Sequence, residues 1–122
     1  MGNEFDGTRC NHCDEKCQVD WADKSANDGY ESRAPVGTYP EGASWCGALD
    51  LAGNVWEWAS DWYRGYPSEP QVNPAGPDLS EQRVLRGASW LNLPWTLHSF
   101  IRDSNHPLGR SNIIGFRCAR DD

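Results

Sequence analysis

The sequence predicts a loop-rich domain in which short β-strands are joined by long irregular segments. Seven tryptophans, twelve glycines and eight prolines occur within 122 residues, a composition that argues against a helix bundle. Residues 3–34 are polar and rich in turn-forming dipeptides, and residues 64–82 contain four prolines, so both segments are predicted as loops. The length allows a single domain, 1–122, whose core would depend on its large aromatic side chains.

Three short segments carry the pattern of strands, namely 55–59, 83–90 and 113–120. In the first of them Trp56 and Trp58 occupy alternate positions, so both point to one face of a strand. Packing of this face into the core is the favoured interpretation, and a platform for stacking carbohydrate is the alternative. No segment has the period of a convincing amphipathic helix.

The charge limits the classes of partner. The net charge is -7, which disfavours binding to nucleic acid or to an anionic membrane surface. No run of about 18 apolar residues is present, so membrane insertion is not expected. A divalent cation suits an acidic chain better. Four arginines could bind an anion, although pairing with the abundant Asp and Glu is favoured: Arg83, Arg86, Arg117 and Arg120.

Five cysteines cannot all pair within one chain. The cluster Cys10, Cys13 and Cys17 leaves three possibilities open: a metal site, a local Cys13–Cys17 disulfide, or reduced thiols. The last two are favoured, because metal sites with four protein ligands normally show two separated pairs. The remaining cysteines, Cys46 and Cys118, leave the redox compartment undecided.

Hard oxygen donors cluster in the stretch "LDLAGNVWEW". Asp50 and Glu57 flank Gly53, where the backbone can bend and direct carbonyl groups inward. Two carboxylates with two carbonyls suit Ca²⁺, which accepts six to eight oxygen ligands in irregular geometry.

Several blocks of the sequence resemble one known family. "APVGTYP", "GALDLAGNVWEWASDWY", "NPAGPD", "RVLRGASW" and "GFRCAR" occur in the order and at the spacing of the formylglycine-generating-enzyme/sulfatase-modifying-factor family. The resemblance implies an α+β, C-type-lectin-like fold that is loop-rich with short antiparallel strands. It also implies that the chain corresponds to the C-terminal half of a longer domain. Completion of the fold by a partner chain or a homo-oligomer is one possibility that the sequence leaves open.

The resemblance further implies one or two calcium sites. The first would use the side chains of Asp50 and Glu57 with the carbonyls of Gly53 and Val55. The second would use the side chains of Asn11 and Asp28 with the carbonyls of His12 and Tyr30. The alternative for the second set is a group of ordinary turn residues, because Asp-Gly is a common turn dipeptide.

The family's oxidative chemistry is not expected in this chain. The resemblance places the copper-binding catalytic cysteine pair of the enzymes within 90–101, and that stretch contains no cysteine. Copper is therefore not predicted as a cofactor, since Cu(I) prefers thiolate ligands. The related sulfoxide synthases bind iron through histidines of another domain. His98 and His106 have no partner at a motif spacing, and no catalytic residue is assigned.

The frame of residues 87–117 also resembles the C-terminal variable segment of diversity-generating-retroelement proteins, which are bacterial or phage proteins that use this fold. Mutagenesis of adenines in AAY codons never yields Lys, Glu, Gln, Met or Trp. The segment contains none of the first four, and its two tryptophans could be fixed scaffold.

Apolar side chains replace the polar ones expected between the frame residues. Leu97 and Trp90 are predicted to be core. The alternation from Leu91 to Leu97 leaves a half-buried edge strand open as an alternative, although Pro94 opposes a central strand. The predicted ligand-binding residues are Leu91, Leu93, Trp95, Thr96, His98, Phe100, Ile101, Asp103, Asn105, His106, Leu108, Ser111 and Ile113.

These observations favour a non-catalytic domain that binds a protein, or another surface ligand, through 91–113 on a calcium-braced scaffold. A retroelement-diversified variable protein is the first interpretation. An accessory domain of a larger bacterial protein and a divergent copper-dependent oxidase are the alternatives.

Overall fold

The computed structural model describes residues 5–119, most of which form loops around one small sheet. Four strands make up this sheet: β1 (Trp56–Trp62), β2 (Arg83–Arg86), β3 (Asp103–Asn105) and β4 (Ile114–Gly115). Three 3-10 turns lie outside it, at Gly7–Arg9, Pro40–Gly42 and Pro94–Thr96. No α-helix occurs within 5–119, so the helical part of the α+β expectation was wrong for this portion of the family fold. Nothing helical in that range is long and apolar enough to cross a membrane.

The sheet is mixed, with the strand order β3-β2-β1-β4. β1 pairs with β2, and β2 with β3, in antiparallel fashion, whereas β4 runs parallel to β1. The expectation of antiparallel strands therefore fails at β4. The reason is topological: the chain leaves β3 at one edge and crosses the sheet before it adds β4 at the other edge.

The strand predictions located three of the four strands, with different bounds. β2 ends at Arg86 because Gly87 and Ala88 adopt left-handed φ values of 91° and 61°, which a strand cannot accommodate. The edge strand considered for 91–97 is absent, since Pro94 begins a 3-10 turn there. β3 has the polar sequence Asp-Ser-Asn and carried no strand signal.

The main core lies under one face of the sheet. Trp56, Leu85 and Leu97 are its large buried side chains, and Trp58 packs against them. The alternation in β1 thus predicted the core face correctly, and Leu97 is core as expected, with 6% of its surface exposed.

A second, smaller cluster surrounds a disulfide between Cys13 and Cys17, one of the alternatives left open by the sequence. Trp90 and Leu91 pack against this disulfide. The backbone N–H of Cys13 donates to the carbonyl of Asn92 at 2.9 Å. The polar N-terminal loop is thereby attached to the start of the 91–113 segment.

Candidate functional site: two oxygen-rich clusters and an exposed apolar segment

The turn before β1 holds three parts of the chain together. Asn54 is buried, and its side-chain amide exchanges two hydrogen bonds of 3.1 Å with the backbone of Ala34. The backbone carbonyl of Asn54 accepts a hydrogen bond from the backbone N–H of Trp90 at 2.8 Å. Asn54 was not among the predicted site residues, and its position inside "AGNVWEW" was the available signal. A left-handed φ of 61° at Asn54 is tolerated by asparagine better than by most residues.

Gly53 brings the N-terminal loop into close contact with this turn. Its φ is 77°, and a Cβ placed on it would lie 2.0 Å from the carbonyl oxygen of Asn11. Only glycine permits both the conformation and this approach. Gly53 belongs to the first predicted calcium set and Asn11 to the second. This close backbone contact therefore joins the two sets.

Three members of the first predicted calcium site line one cavity. Asp50, Val55 and Glu57 border a space of about 400 Å³, and Gly53 is not among the residues around it. One Asp50 carboxylate oxygen accepts from the Gly37 N–H at 2.7 Å. Among the described residues, no backbone hydrogen bond outside the strand ladders ends on the Gly53 or Val55 carbonyl.

Glu57 already has a cationic partner at this site. The Arg117 Nε donates to its Oε2 at 2.9 Å and Nη2 to its Oε1 at 2.8 Å. These hydrogen bonds, followed by the charges of Glu57 and Asp50, raise the pKa of Arg117 despite some desolvation. A calcium ion would therefore compete with Arg117 for Glu57, and the donor set fits Ca²⁺ only if the guanidinium moves.

Three members of the second predicted calcium set are in hydrogen-bond contact. Both Asp28 carboxylate oxygens are used: Oδ2 accepts from the His12 N–H at 2.7 Å and Oδ1 from the Tyr30 N–H at 2.8 Å. Asn11 is 1% exposed. Its Oδ1 has no hydrogen-bond partner among the residues that the structure describes, although its Nδ2 donates to the Ser32 carbonyl.

Asp14 adds a second buried carboxylate that the sequence analysis missed. It is fully buried, and its oxygens accept from the backbone N–H groups of Asp28 and Lys16. Burial, with a contribution from the Asp14 charge, raises the pKa of Asp28, while the hydrogen bonds from Tyr30 and His12 oppose that rise.

This second cluster fits a hard cation better than the first. Buried polar atoms are normally hydrogen-bonded, so the orphaned Asn11 oxygen, in the same loop as the buried carboxylates of Asp14 and Asp28, is the kind of hard donor that Ca²⁺ uses. Within residues 5–119 no three His, Cys, Asp or Glu side chains converge as a metal site. An ion would consequently need the Asn11 amide and backbone carbonyls. Calcium binding stays a prediction at both places.

The predicted ligand-binding residues divide into two groups by exposure. Trp95, Phe100 and Leu108 expose 66%, 68% and 82% of their surface. The His98 ring stacks on Phe100 with a centroid distance of 5.2 Å. The polar members Asp103, His106 and Ser111 are also exposed. The partly buried members are Leu91, Leu93, Thr96, Ile101, Asn105 and Ile113.

Some of the partly buried members also serve the scaffold. Ile101 and Ile113 pack against the main core, and Leu91 packs against the disulfide cluster. Thr96 donates to the Leu93 carbonyl at 2.8 Å and so closes the 3-10 turn. The outward-facing set is therefore narrower than the thirteen predicted positions, and Trp95, His98, Phe100 and Leu108 are its clearest members.

The remaining cysteines differ in their surroundings. Burial raises the pKa of the Cys10 thiol to about 12. Cys46 and Cys118 are exposed and form no disulfide. A hydrogen bond with the Ser44 hydroxyl is the main cause that lowers the pKa of Cys46.

Comparison with known proteins identifies the family. The model of the sulfatase-modifying factor enzyme 1-like domain matches residues 1–122. The chain belongs to this family. The resemblance found in the sequence motifs is thus confirmed.

Curated members of the sulfatase-modifying factor family include enzymes and larger multidomain proteins. The formylglycine-generating enzyme of Streptomyces coelicolor is 44% identical over 103 residues, which cover 80% of this chain and 32% of that protein. The serine/threonine-protein kinase Pkn1 of Chlamydia trachomatis is 42% identical over 105 residues, covering 81% of this chain and 17% of the kinase. The chain thus spans a third or less of either relative.

Two solved structures share the fold. PvdO of Pseudomonas aeruginosa superposes with a TM-score of 0.68 at 28% identity, covering 95% of this chain and 41% of that one. Variable protein 1 of Treponema denticola superposes with a TM-score of 0.70 at 25% identity, covering 89% of this chain and 34% of that one.

Proposed function

We propose that this sulfatase-modifying factor domain is a non-catalytic binding module that recognises a protein ligand through the outward-facing residues of 91–113. The observation that carries the proposal is the exposure of Trp95, Phe100 and Leu108 on a segment whose backbone is fixed from beneath. Exposed aromatic and aliphatic side chains with a polar rim are typical of protein-binding surfaces.

Contacts to the scaffold hold the segment at several points. Arg86 donates to the carbonyls of Ser99 and Ile101 at 3.2 and 2.9 Å. The Trp90 indole N–H donates to the Asn112 carbonyl at 3.3 Å. A fixed backbone reduces the entropy that ordering would cost upon binding. Side chains between these points can then change without loss of the fold.

The buried oxygen cluster would brace this scaffold with Ca²⁺. Asn11 and Asp28 would hold the ion through side-chain oxygens, and His12 and Tyr30 through carbonyls. The ion would neutralise the buried carboxylates of Asp28 and Asp14. The N-terminal loop that carries them joins the binding segment through the Cys13–Asn92 hydrogen bond.

The structural likeness to a variable protein of Treponema denticola supports a diversified version of this module. The DNA around the gene tests that version. A nearby near-copy of the sequence encoding 87–117, differing only at adenines and lying beside a reverse-transcriptase gene, is the expected result. Absence of any near-copy from the complete genome would remove the diversified version and favour an accessory domain.

The accessory-domain alternative is supported by the likeness to Pkn1, of which the matched part forms 17%. In that case the module would lie within a longer polypeptide and recognise a fixed partner. Repeated isolates of the gene distinguish the two: a diversified module varies at the codons of His98, Phe100 and Leu108 and keeps Trp95, whereas an accessory domain keeps all four constant.

Likeness to a formylglycine-generating enzyme makes an oxidase test necessary. With copper supplied, the full chain should neither oxidise a cysteine peptide nor bind Cu(I) through 90–101, which contains no cysteine. Copper-dependent formation of the aldehyde product would refute the non-catalytic assignment.

A further inference from the structure

The face of the sheet opposite to the main core forms a second concave site, whose lining includes none of the exposed residues Trp95, His98, Phe100 and Leu108. Ala59 of β1 and Val84 and Arg86 of β2 form its floor, and the proline-rich loop between β1 and β2 forms its wall. The cleft has a volume of about 410 Å³, within the range of small-molecule sites. Val84 is only 2% exposed, so the sheet is well covered at this point.

Three arginines line this cleft, Arg64, Arg86 and Arg102, and none of them has a carboxylate partner among the described residues. Within residues 5–119 the Arg–carboxylate pairs are Arg9–Asp6 and Arg117–Glu57, and neither Arg86 nor Arg102 takes part in one. Unpaired arginines are unexpected in a chain with a net charge of -7, because acidic side chains are abundant. The sequence left anion binding and acid pairing open for Arg86, and the described residues supply no acidic partner.

The guanidinium groups of Arg86 and Arg102 are held in position by contacts with neutral groups. Arg86 uses one terminal nitrogen for the carbonyls of Ser99 and Ile101. Arg102 lies 3.7 Å from the centroid of the Tyr66 ring and donates to the Arg64 carbonyl at 3.0 Å. An arginine has five N–H donors, so each guanidinium keeps donors that these contacts do not use.

We propose that this cleft binds a small molecule or chain end that carries a single oxyanion group, either a carboxylate or a monophosphate, between Arg86 and Arg102. Planar guanidinium groups match both oxyanions in geometry. Two acidic residues of the lining, Asp61 and Glu69, would repel a polyanion, so a nucleic-acid backbone is disfavoured. Ala75, Pro77 and Val84 offer an apolar wall to the rest of the ligand.

The three probes share a phenyl ring, and the carboxylate and its neutral amide control are matched in shape and differ in charge. N-acetyl-L-phenylalanine supplies a carboxylate, phenyl phosphate supplies a monophosphate, and N-acetyl-L-phenylalanine amide is the neutral control. Each is titrated into the full chain in the presence of calcium, and the side-chain Nε–H signals of the arginines are followed by NMR. This readout uses the wild-type protein, so it does not depend on the folding of any variant.

Saturable shifts of the Arg86 and Arg102 signals are expected with at least one anion and not with the amide. The stronger anion identifies the oxyanion. Arg102→Lys should weaken that binding about tenfold, because a charge-assisted bidentate contact is lost. Arg83→Lys is the matched control and should leave affinity unchanged: Arg83 stacks on Trp62 at 3.8 Å and does not line the cleft.

Two results would overturn the proposal. One is the absence of a saturable shift at Arg86 and Arg102 with either anion. The other is an equal shift at Arg83, which would indicate general screening of surface charge. Trp95→Ala should not alter the titration, so failure at this cleft is distinguishable from failure of the binding surface in 91–113.

Discussion

Arg117 binds both carboxylate oxygens of Glu57, so the segment after β4 is attached to β1 by an ion pair at the first predicted calcium site. The same guanidinium donates to the Leu49 carbonyl at 2.8 Å. The pair is partly exposed, with 38% and 21% of the two side chains accessible. Its contribution to stability is therefore about 1 kcal/mol or less.

The first prediction separates this ion pair from calcium. Glu57→Gln should lower the free energy of unfolding, measured by urea titration, by roughly 1 kcal/mol. The loss should be the same with calcium and with EDTA, because Arg117 already neutralises Glu57. Arg117→Gln should cause a similar loss, and the double variant should add little to either. A loss that disappears in EDTA would mean that Glu57 binds the ion instead.

The second prediction concerns the buried oxygen cluster. Addition of EDTA should lower the Tm of the wild-type chain, because the ion would then no longer offset the charge of the buried carboxylates of Asp28 and Asp14. Asp28→Asn should remove most of this response. Asp20→Asn, at an exposed position, is the control and should retain it. A wild-type Tm that is indifferent to EDTA would refute calcium binding at both clusters.

The third prediction tests the contact between the two loops. Gly53→Ala places a Cβ at 2.0 Å from the Asn11 carbonyl oxygen, so the N-terminal loop must shift and the response to calcium should be lost. Gly47→Ala is a matched control, since its φ of 82° is similar and nothing lies within 4 Å of the added atom. It should cost only the backbone strain, about 1 kcal/mol. Equal effects of the two variants on Tm would contradict the contact.

The fourth prediction concerns thiol reactivity. Iodoacetamide should modify Cys46 first, because its pKa is lowered by the Ser44 hydroxyl and it is exposed. Its rate should rise with pH and level off at a lower pH than for an ordinary cysteine, because the thiolate is the reactive form. Cys10, which is 2% exposed, should remain unmodified until the chain unfolds. Peptide mapping by mass spectrometry measures the modification of both cysteines. Ser44→Ala should slow the modification of Cys46.

The core and the family were predictable from the sequence because they depend on local pattern. Alternation in β1 placed Trp56 and Trp58 on the core face, and the motif blocks identified the family. The parallel pairing of β4 could not be predicted from alternation, which is the same for either strand direction. The polar strand β3 lacks the apolar alternation on which strand prediction depends.

The sequence indicated some residues of each candidate site and not others. In the second calcium set, the Asp28 carboxylate accepts from the backbone N–H groups of His12 and Tyr30, and calcium binding there stays a prediction. Asp14 lies in a polar run that gives no sign of its burial. The pairing of Glu57 with Arg117 spans 60 residues, so no local pattern could have indicated it. Exposure within 91–113 was only partly predictable, since Ile101 and Ile113 reach the core through long-range packing.

The fifth prediction separates binding residues from folding residues. Leu97→Ala should lower the free energy of unfolding by about 2–5 kcal/mol because it leaves a cavity in the core. Trp95→Ala should change it by no more than about 0.5 kcal/mol, since Trp95 is 66% exposed. Urea unfolding monitored by circular dichroism measures both. A large loss for Trp95→Ala would make this residue part of the scaffold.

The most direct test of the central claim is a binding selection from two libraries displayed on yeast. One library randomises Trp95, His98, Phe100 and Leu108, and the control library randomises four exposed positions of the proline-rich loop that do not line the cleft: Ser68, Val72, Leu79 and Glu81. Both are selected against immobilised hen lysozyme, and the Kd of the best clone is measured. The account predicts specific, folded binders of micromolar or better affinity from the first library alone. Equal yields from the two libraries, or loss of folding in most clones of the first, would contradict it.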